Sequence, residues 1–325
     1  MERIRYFDAH CDTIYRCYMD AADVSLLFAE EKEFFSGCDT LLENSGHIDL
    51  VRAEQFCQYG QFFALFYDGA GIAGEEMWEL CQKLHQRFVQ EMAENEDRII
   101  HCHTGRQVDE AIRNGRAAAL LSIEGADLLN CDVRHLETAA QWGVRFINPV
   151  WNHANILSGT NCEEPDRGLS PQGIDFIRQM EDVEIYADVS HLSDAGFWDL
   201  YRKTRKPIVA SHSNSRALCA HPRNLSDDMF RAIRDTGGVV GINLYQTFVG
   251  EDLSMDALVG HIEHFLALDG TKTVCIGGDM DGCEKLAAGM EGIQDIPKLY
   301  AALEAKGYDQ ALLEDIFWNN LRRIL

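Results

Sequence analysis

The sequence predicts an α/β fold: a (β/α)8, TIM-like barrel that takes residues 1–325 as one domain. Three observations predict it. Short apolar runs alternate with longer amphipathic stretches along the chain, the pattern of parallel strands joined by helices. No linker, short repeat or low-complexity segment interrupts the alternation, and the six prolines are dispersed. Acidic and imidazole side chains recur just past the ends of five of the runs, and a barrel brings such ends together on one face.

The buried runs are, in order, Ile4–Asp8, Gln61–Phe66, Ala117–Ile123, Arg145–Pro149, Glu184–Asp188, Pro207–Ala210, Val239–Leu244 and Val274–Gly277. Short, apolar runs of this kind fit parallel strands covered on both faces. Eight of them alternating with helices favour a barrel over an open sheet. The helical stretches between them include Glu75–Asn95, Gly173–Met180, Asp194–Lys203, Asp227–Thr236, Met255–Leu268 and Asp309–Leu325. The segment Arg16–His47 reads as an irregular insertion after the first strand. A chain of 325 residues suits one such barrel and can bury a core that needs no disulfides.

Composition narrows the partners. The chain has 29 basic and 53 acidic residues, a formal charge of −24. Binding nucleic acid requires Lys and Arg to neutralise phosphates, so nucleic acid is not an expected partner, nor is an anionic membrane surface. No apolar run is long enough to span a bilayer, and the opening MERIRYFDAH lacks the apolar stretch of a signal peptide. The eleven cysteines are odd in number and form no CxxC pair. Free, mostly buried thiols in a reducing cytoplasm are the expectation.

The polar residues carry the chemistry. The first strand runs into Asp8-Ala9-His10-Cys11-Asp12, and the third ends in Ser122-Ile123-Glu124-Gly125. The fifth ends in Asp188-Val189-Ser190-His191, the sixth in Ser211-His212-Ser213 and the eighth in Gly278-Asp279-Met280-Asp281-Gly282. Residues i and i+2 of a strand share a face, so His10 and Asp12 can hold one cation together. Glu124, with two oxygens, can bridge two cations, and His191 and His212 complete a second site. Imidazole with carboxylate suits Zn²⁺, with Mn²⁺, Fe²⁺ or Co²⁺ as alternatives. Two such cations about 3.5–4 Å apart can share a water, lower its pKa towards about 7 and polarise a carbonyl. Asp279 could then take the water's proton and pass it to a leaving amine. A lone HxD pair is a weak signal, and the recurrence at five strand ends is what carries weight.

These segments resemble the membrane dipeptidase (renal dipeptidase, peptidase family M19) family of zinc dipeptidases, a branch of the amidohydrolase-like metal-dependent hydrolases. The resemblance covers nearly the whole chain. It includes His47-Ile48-Asp49-Leu50, Arg223-Asn224-Leu225-Ser226-Asp227, the Gly237-Gly238 segment up to Asn243, and Asn319-Asn320-Leu321-Arg322. It implies a zinc-dependent dipeptidase that hydrolyses the amide bond of small dipeptides, L-L and also L-D, through a hydroxide bridging two metals. In that reading His10 and Asp12 ligate one zinc, Glu124 bridges, and His191 and His212 ligate the other. Asp279 is the acid/base that works with Glu124 on the catalytic water, and Arg223 grips the substrate's terminal carboxylate. Members of the family often pair, so a homodimer is the implied assembly. The expected type is the bacterial, cytoplasmic member.

One segment departs from the family. Where it often shows Leu-Thr-His after the fourth strand, with that His holding substrate, this chain reads Pro149-Val150-Trp151-Asn152-His153-Ala154-Asn155. Trp151 therefore falls at the His position, with Asn152, His153 and Asn155 as other substrate-binding candidates. Further histidines need weighing. His101-Cys102-His103 precedes the third strand, on the opposite barrel face or in a surface turn, and reads as structural or solvated. His261 and His264 read as a solvated helix face, and His221 is a candidate to line the pocket. Cys11 points away from its two neighbours, and the Gly-Gly pairs allow close backbone packing. Two other readings share these residues: a related metal-dependent hydrolase acting on another small amide, lactone or ester, and a non-catalytic binding protein on the same barrel.

Overall fold

The computed structural model describes residues 3–21, 36–68 and 72–325. Its strands are β1 (Arg5–Asp8), β2 (Gln58–Phe66), β3 (Ile99–His101), β4 (Ala117–Glu124), β5 (Val144–Asn148), β6 (Tyr186–Ala187), β7 (Val209–Ala210), β8 (Val239–Ile242) and β9 (Val274–Ile276). Eight of them follow the order β6-β5-β4-β2-β1-β9-β8-β7, all parallel. A parallel bridge from Asp188 to Val209 joins the two ends, with the Val189 amide donating to the Val209 carbonyl at 2.8 Å. The result is a nearly closed barrel of eight parallel strands with helices outside, the predicted fold.

The strands divide their side chains between two cores. Phe7, Phe62, Leu120, Phe146, Val209, Val239 and Cys275 fill the barrel interior, and Trp318 packs against Phe7 with ring centroids 5.2 Å apart. Their strand neighbours Tyr6, Phe63, Leu121, Ile147, Ala210 and Val240 belong to the larger layer shared with the helices. Both faces of the sheet are therefore buried, which is why the runs read as continuously apolar.

Three features differ from the sequence reading. β3 was not anticipated: it is three residues long and pairs only with Ala117–Ala119 of β4, below the point where β5 begins at Leu121. His101 thus lies in a strand beside the start of β4, at the opposite end of that strand from Glu124, which is the opposite-face alternative rather than a surface turn. The segment Arg16–His47 is not wholly irregular, because Thr13–Ala21 is helical; residues 22–35 lie outside the described residues. The final helical stretch is broken by a π turn over Asp315–Asn319. Elsewhere serines end the strand-to-helix loops as predicted by capping chemistry: Ser193, Ser226 and Ser254 accept from the amides of Gly196, Met229 and Ala257.

The mouth of the barrel is held by two buried carboxylates. Asp8 Oδ1 accepts from the amides of His10 and Gly278, both at 2.9 Å, and ties β1 to β9. Asp188 Oδ1 accepts from the amides of Ser190 and Ser211, both at 3.1 Å, and ties β6 to β7. Behind them the backbones of β7, β8 and β9 crowd together. A Cβ on Gly277 would lie 1.7 Å from the Ser211 carbonyl oxygen, and one on Gly241 1.9 Å from it.

Candidate metal centre

The chain past β1 stays extended between its neighbours. The Cys11 amide donates to Phe62 O at 3.1 Å and the Asp12 amide to Met280 O at 3.0 Å. His10 and Asp12 therefore share the inner face, while Cys11 is fully buried in the outer layer. Glu124 is the last residue of β4, and His191, His212 and Asp279 follow β6, β7 and β9. All are buried, as is Arg223.

The donor atoms converge. His10 Nε2 lies 3.5 Å from Asp12 Oδ2, 3.6 Å from Glu124 Oε2 and 3.9 Å from Asp279 Oδ1. Glu124 Oε1 lies 2.7 Å from His191 Nε2 and 3.4 Å from His212 Nε2. The two histidine Nε2 atoms face each other at 3.1 Å. Among the described residues, two groups have donor atoms close enough to share one ion: His10, Glu124 and His212, and His10, Asp12 and Asp279. His10 belongs to both.

The hydrogen bonds around the cluster aim it inwards. His191 Nδ1 meets Asn152 Oδ1 at 3.0 Å, and His212 Nδ1 meets Ser211 Oγ at 2.7 Å. With Nδ1–H donated to these oxygens, both Nε2 lone pairs face the cluster. Ring nitrogens 3.1 Å apart in that state need a proton or a cation between them. Both nitrogens of His10 and Oδ1 of Asp12 are buried without a hydrogen-bond partner. Buried polar atoms of this kind are costly unless something binds them. The residues present fit divalent cations.

Electrostatics agree. Burial, with Arg223 and His10 nearby, holds His191 and His212 neutral well below the usual histidine range. Burial works against charge on His10 too, yet the carboxylates Glu124 and Asp12 outweigh it and lift its pKa to about 10. That negative potential draws a cation. Burial raises Glu124 and Asp12 themselves, a cost that a bound cation would relieve.

A cleft of about 450 Å³ opens onto the cluster, lined among others by Glu124, Trp151, Asn152, Arg223, Tyr245 and Asp279. Arg223 Nη2 donates to His191 Nε2 at 3.1 Å, while its Nη1 is buried without a partner. Asn152 lies at the cleft but is engaged with His191. Trp151 stands edge-on to Phe66, ring centroids 4.9 Å apart. His153 points elsewhere: its Nδ1 pairs with Glu163 at 3.0 Å and the side chain is mostly exposed.

Other histidines also fall into place. His261 is fully buried, accepting from the Ser215 amide at 3.1 Å and donating to Val249 O at 2.9 Å. It is a core histidine, not the solvated one expected. His264 pairs with Asp227 at 2.8 Å. His221 accepts from the Arg223 amide at 3.2 Å and so shapes the Arg223 loop. Sequence reasoning assigned no role to Asn243, whose Nδ2 donates to Asp279 Oδ2 at 2.9 Å. It also assigned none to Asp281, which accepts from Thr13 Oγ1, Arg16 and the His47 amide. Asp281's place two residues beyond Asp279 was the available signal for it, and for Asn243 it was its place at the end of the Gly237-Gly238 segment.

A parallel barrel with buried imidazole and carboxylate groups at the C-terminal strand ends defines a metal-dependent hydrolase. The family model described as membrane dipeptidase (peptidase family M19) matches residues 1–325, and the chain belongs to that family. It is a metallo-dipeptidase that depends on divalent metal. The chain is 36% identical over 261 residues to a protein in the pqqA 5′ region of Klebsiella pneumoniae, covering 77% of this chain and 94% of that one. Among solved structures it is similar to a metallopeptidase of Rhodobacter sphaeroides liganded with a phosphinate mimic of the dipeptide L-Ala-D-Ala. The TM-score is 0.86 at 25% identity, covering 99% of both chains. It is also similar to the dipeptidase AC, a metallopeptidase of family M19, with TM-score 0.87 at 26% identity, covering 99% of this chain and 98% of that one.

Proposed function

We propose that this metallo-dipeptidase uses two divalent cations, zinc by the chemistry of its donors, to hydrolyse L-L and L-D dipeptides. The observation that carries the proposal is the placing of Glu124 between two sets of donors, with Oε2 3.6 Å from His10 Nε2 and Oε1 2.7 Å from His191 Nε2. His10, Asp12, Glu124, His191 and His212 would hold the cations. When bound, such ions polarise a carbonyl and acidify a water.

The chain's own residues supply the rest. Arg223, buried with an unpartnered Nη1, binds the substrate's terminal carboxylate, a task suited to a fixed guanidinium. Asn243 holds Oδ2 of Asp279, leaving Oδ1 turned towards His10. Asp279 accepts a proton from the attacking water at that oxygen and delivers it to the leaving amine. Asn152 orients His191, and Trp151 closes one wall against bulk water. The phosphinate-liganded Rhodobacter sphaeroides structure supports a dipeptide with a D-configured second residue. The free state of all eleven cysteines supports a reducing compartment, the cytoplasm.

The test is a panel of L-L and L-D dipeptides with zinc-loaded enzyme, and His191→Ala as control. Turnover above the control on at least one dipeptide is expected, and none on any would sink the proposal. Losing the charged contact in Arg223→Ala should lower kcat/KM for free dipeptides by about 10–100-fold, with a much smaller effect on C-terminal amides. Equal losses on both would remove Arg223 from carboxylate binding.

A further inference from the structure

We infer that a second cavity beside the metal centre receives the side chain of the substrate's N-terminal residue and selects a cationic one, lysine or arginine. The inference rests on the dipeptidase reading above and extends it to the class of substrate.

The cavity has a volume of about 350 Å³. Asp68, Glu124 and Trp151 line both it and the metal-site cleft, whereas Arg223 lines the cleft. A dipeptide with its carboxylate on Arg223 and its scissile carbonyl beside Glu124 has one residue left. The next Cα lies about 3.8 Å further along the chain, at the junction of the two cavities. Gly125 forms that junction without obstruction. A Cβ built there meets its nearest atoms at 3.5 Å, Trp151 Cβ, and 3.9 Å, Asp127 Oδ2. The carboxylate of Asp127 thus lies close to Gly125, the residue that follows Glu124.

The walls match an amphipathic guest. Tyr67, Met77, Leu128 and Trp151 supply apolar surface; Asp127 supplies an anion deep in the cavity, and Asp68 a second carboxylate where the cavity meets the cleft. The stem of a lysine or arginine lies well along apolar walls while its head seeks a carboxylate. Asp127 accepts from Asn155 Nδ2 at 2.9 Å, a neutral donor. Among the described residues no lysine or arginine is in ion-pair range of it, although paired surface acids are common elsewhere in the chain. Burial raises its pKa, with the Asn155 hydrogen bond, its own backbone amide and the nearby His153 opposing, and a cationic head would add the full charge that none of these hydrogen bonds supplies. An uncharged side chain of equal length would cover Asp127 without replacing its water, and an acidic one would meet like charge.

The experiment compares L-lysyl-L-alanine, L-norleucyl-L-alanine and L-glutamyl-L-alanine on the zinc-loaded wild type and Asp127→Asn. Norleucine keeps the lysine stem and lacks the ammonium. We expect kcat/KM for the lysyl substrate to exceed that for the norleucyl one by about tenfold or more, as one partly buried charged hydrogen bond allows. In D127N the ratio should collapse. A ratio near one in the wild type overturns the inference, and this needs no variant to fold. A ratio that survives D127N overturns it as well. In both cases cleavage of norleucyl-alanine leaves the dipeptidase reading standing. Cleavage of none of the three, nor of any other dipeptide, sinks that reading and the inference with it.

Discussion

A histidine bound through Nε2 is tuned by what its Nδ1 touches. His191 meets Asn152 Oδ1, which can only accept, at 3.0 Å, and His212 meets Ser211 Oγ, which can accept, at 2.7 Å, so both contacts suit the tautomer a cation requires. Asn152→Ala should therefore weaken metal affinity by about 10–100-fold, measured by competition with a chelator, while KM of the metal-saturated enzyme changes little. Unchanged affinity with a raised KM would return Asn152 to the substrate-contacting role that its sequence position suggests. The residues at strand ends were legible in sequence because their types and their order along the chain survive without coordinates. The direction of Asn152 was not, because a loop residue's partner is set by how the loop folds over the mouth. The same holds for His153, which is adjacent in sequence yet turns to Glu163.

At the scale of elements, short strands and close backbones make the barrel. Gly277 has no room for any side chain, since the obstacle is the carbonyl oxygen of Ser211, which is backbone. Gly277→Ala should abolish soluble, folded protein or lower its unfolding midpoint drastically. Gly115 has φ +73° and open space around it, so Gly115→Ala should cost only the left-handed strain of about 1–2 kcal/mol. Equal effects in chemical unfolding would show that the β7–β8–β9 crowding does not constrain the fold. β3 escaped the sequence reading because three residues are too few for a period, and its pairing with β4 is non-local. Its His101 packs edge-on to Phe88, ring centroids 4.8 Å apart. Burial, with His103 and His85 adding to it, pushes its pKa down to about 3. The folded state thus holds His101 neutral, and the unfolded chain binds a proton below about pH 6.5. Its contribution to stability is present above pH 6.5 and is lost as pH falls towards 3. Urea midpoints should drop over that window, with a shallower slope in His101→Gln. An identical slope in both proteins would show that His101 does not contribute.

Across the whole molecule, a chain with charge −24 concentrates function in a small, buried metal-binding centre. No helix of the described residues is long and apolar enough to cross a membrane. The barrel was legible because eight apolar runs alternate with helices, and a parallel sheet buried on both faces leaves few other patterns. Closure was not, since it rests on one bridge between Asp188 and Val209. Because cations would bind the folded state alone, chelation should lower the thermal midpoint and added Zn²⁺ restore it, each site adding about 2.7 kcal/mol of stability at a hundredfold excess over Kd. A midpoint indifferent to both would mean that the cluster adds no binding energy to the fold. The central claim is that this buried cluster holds two cations, and elemental analysis of zinc-reconstituted, dialysed protein tests it most directly. Two zinc ions per chain in the wild type and fewer in His191→Ala are predicted; one or none in the wild type, or no change in the variant, would contradict it.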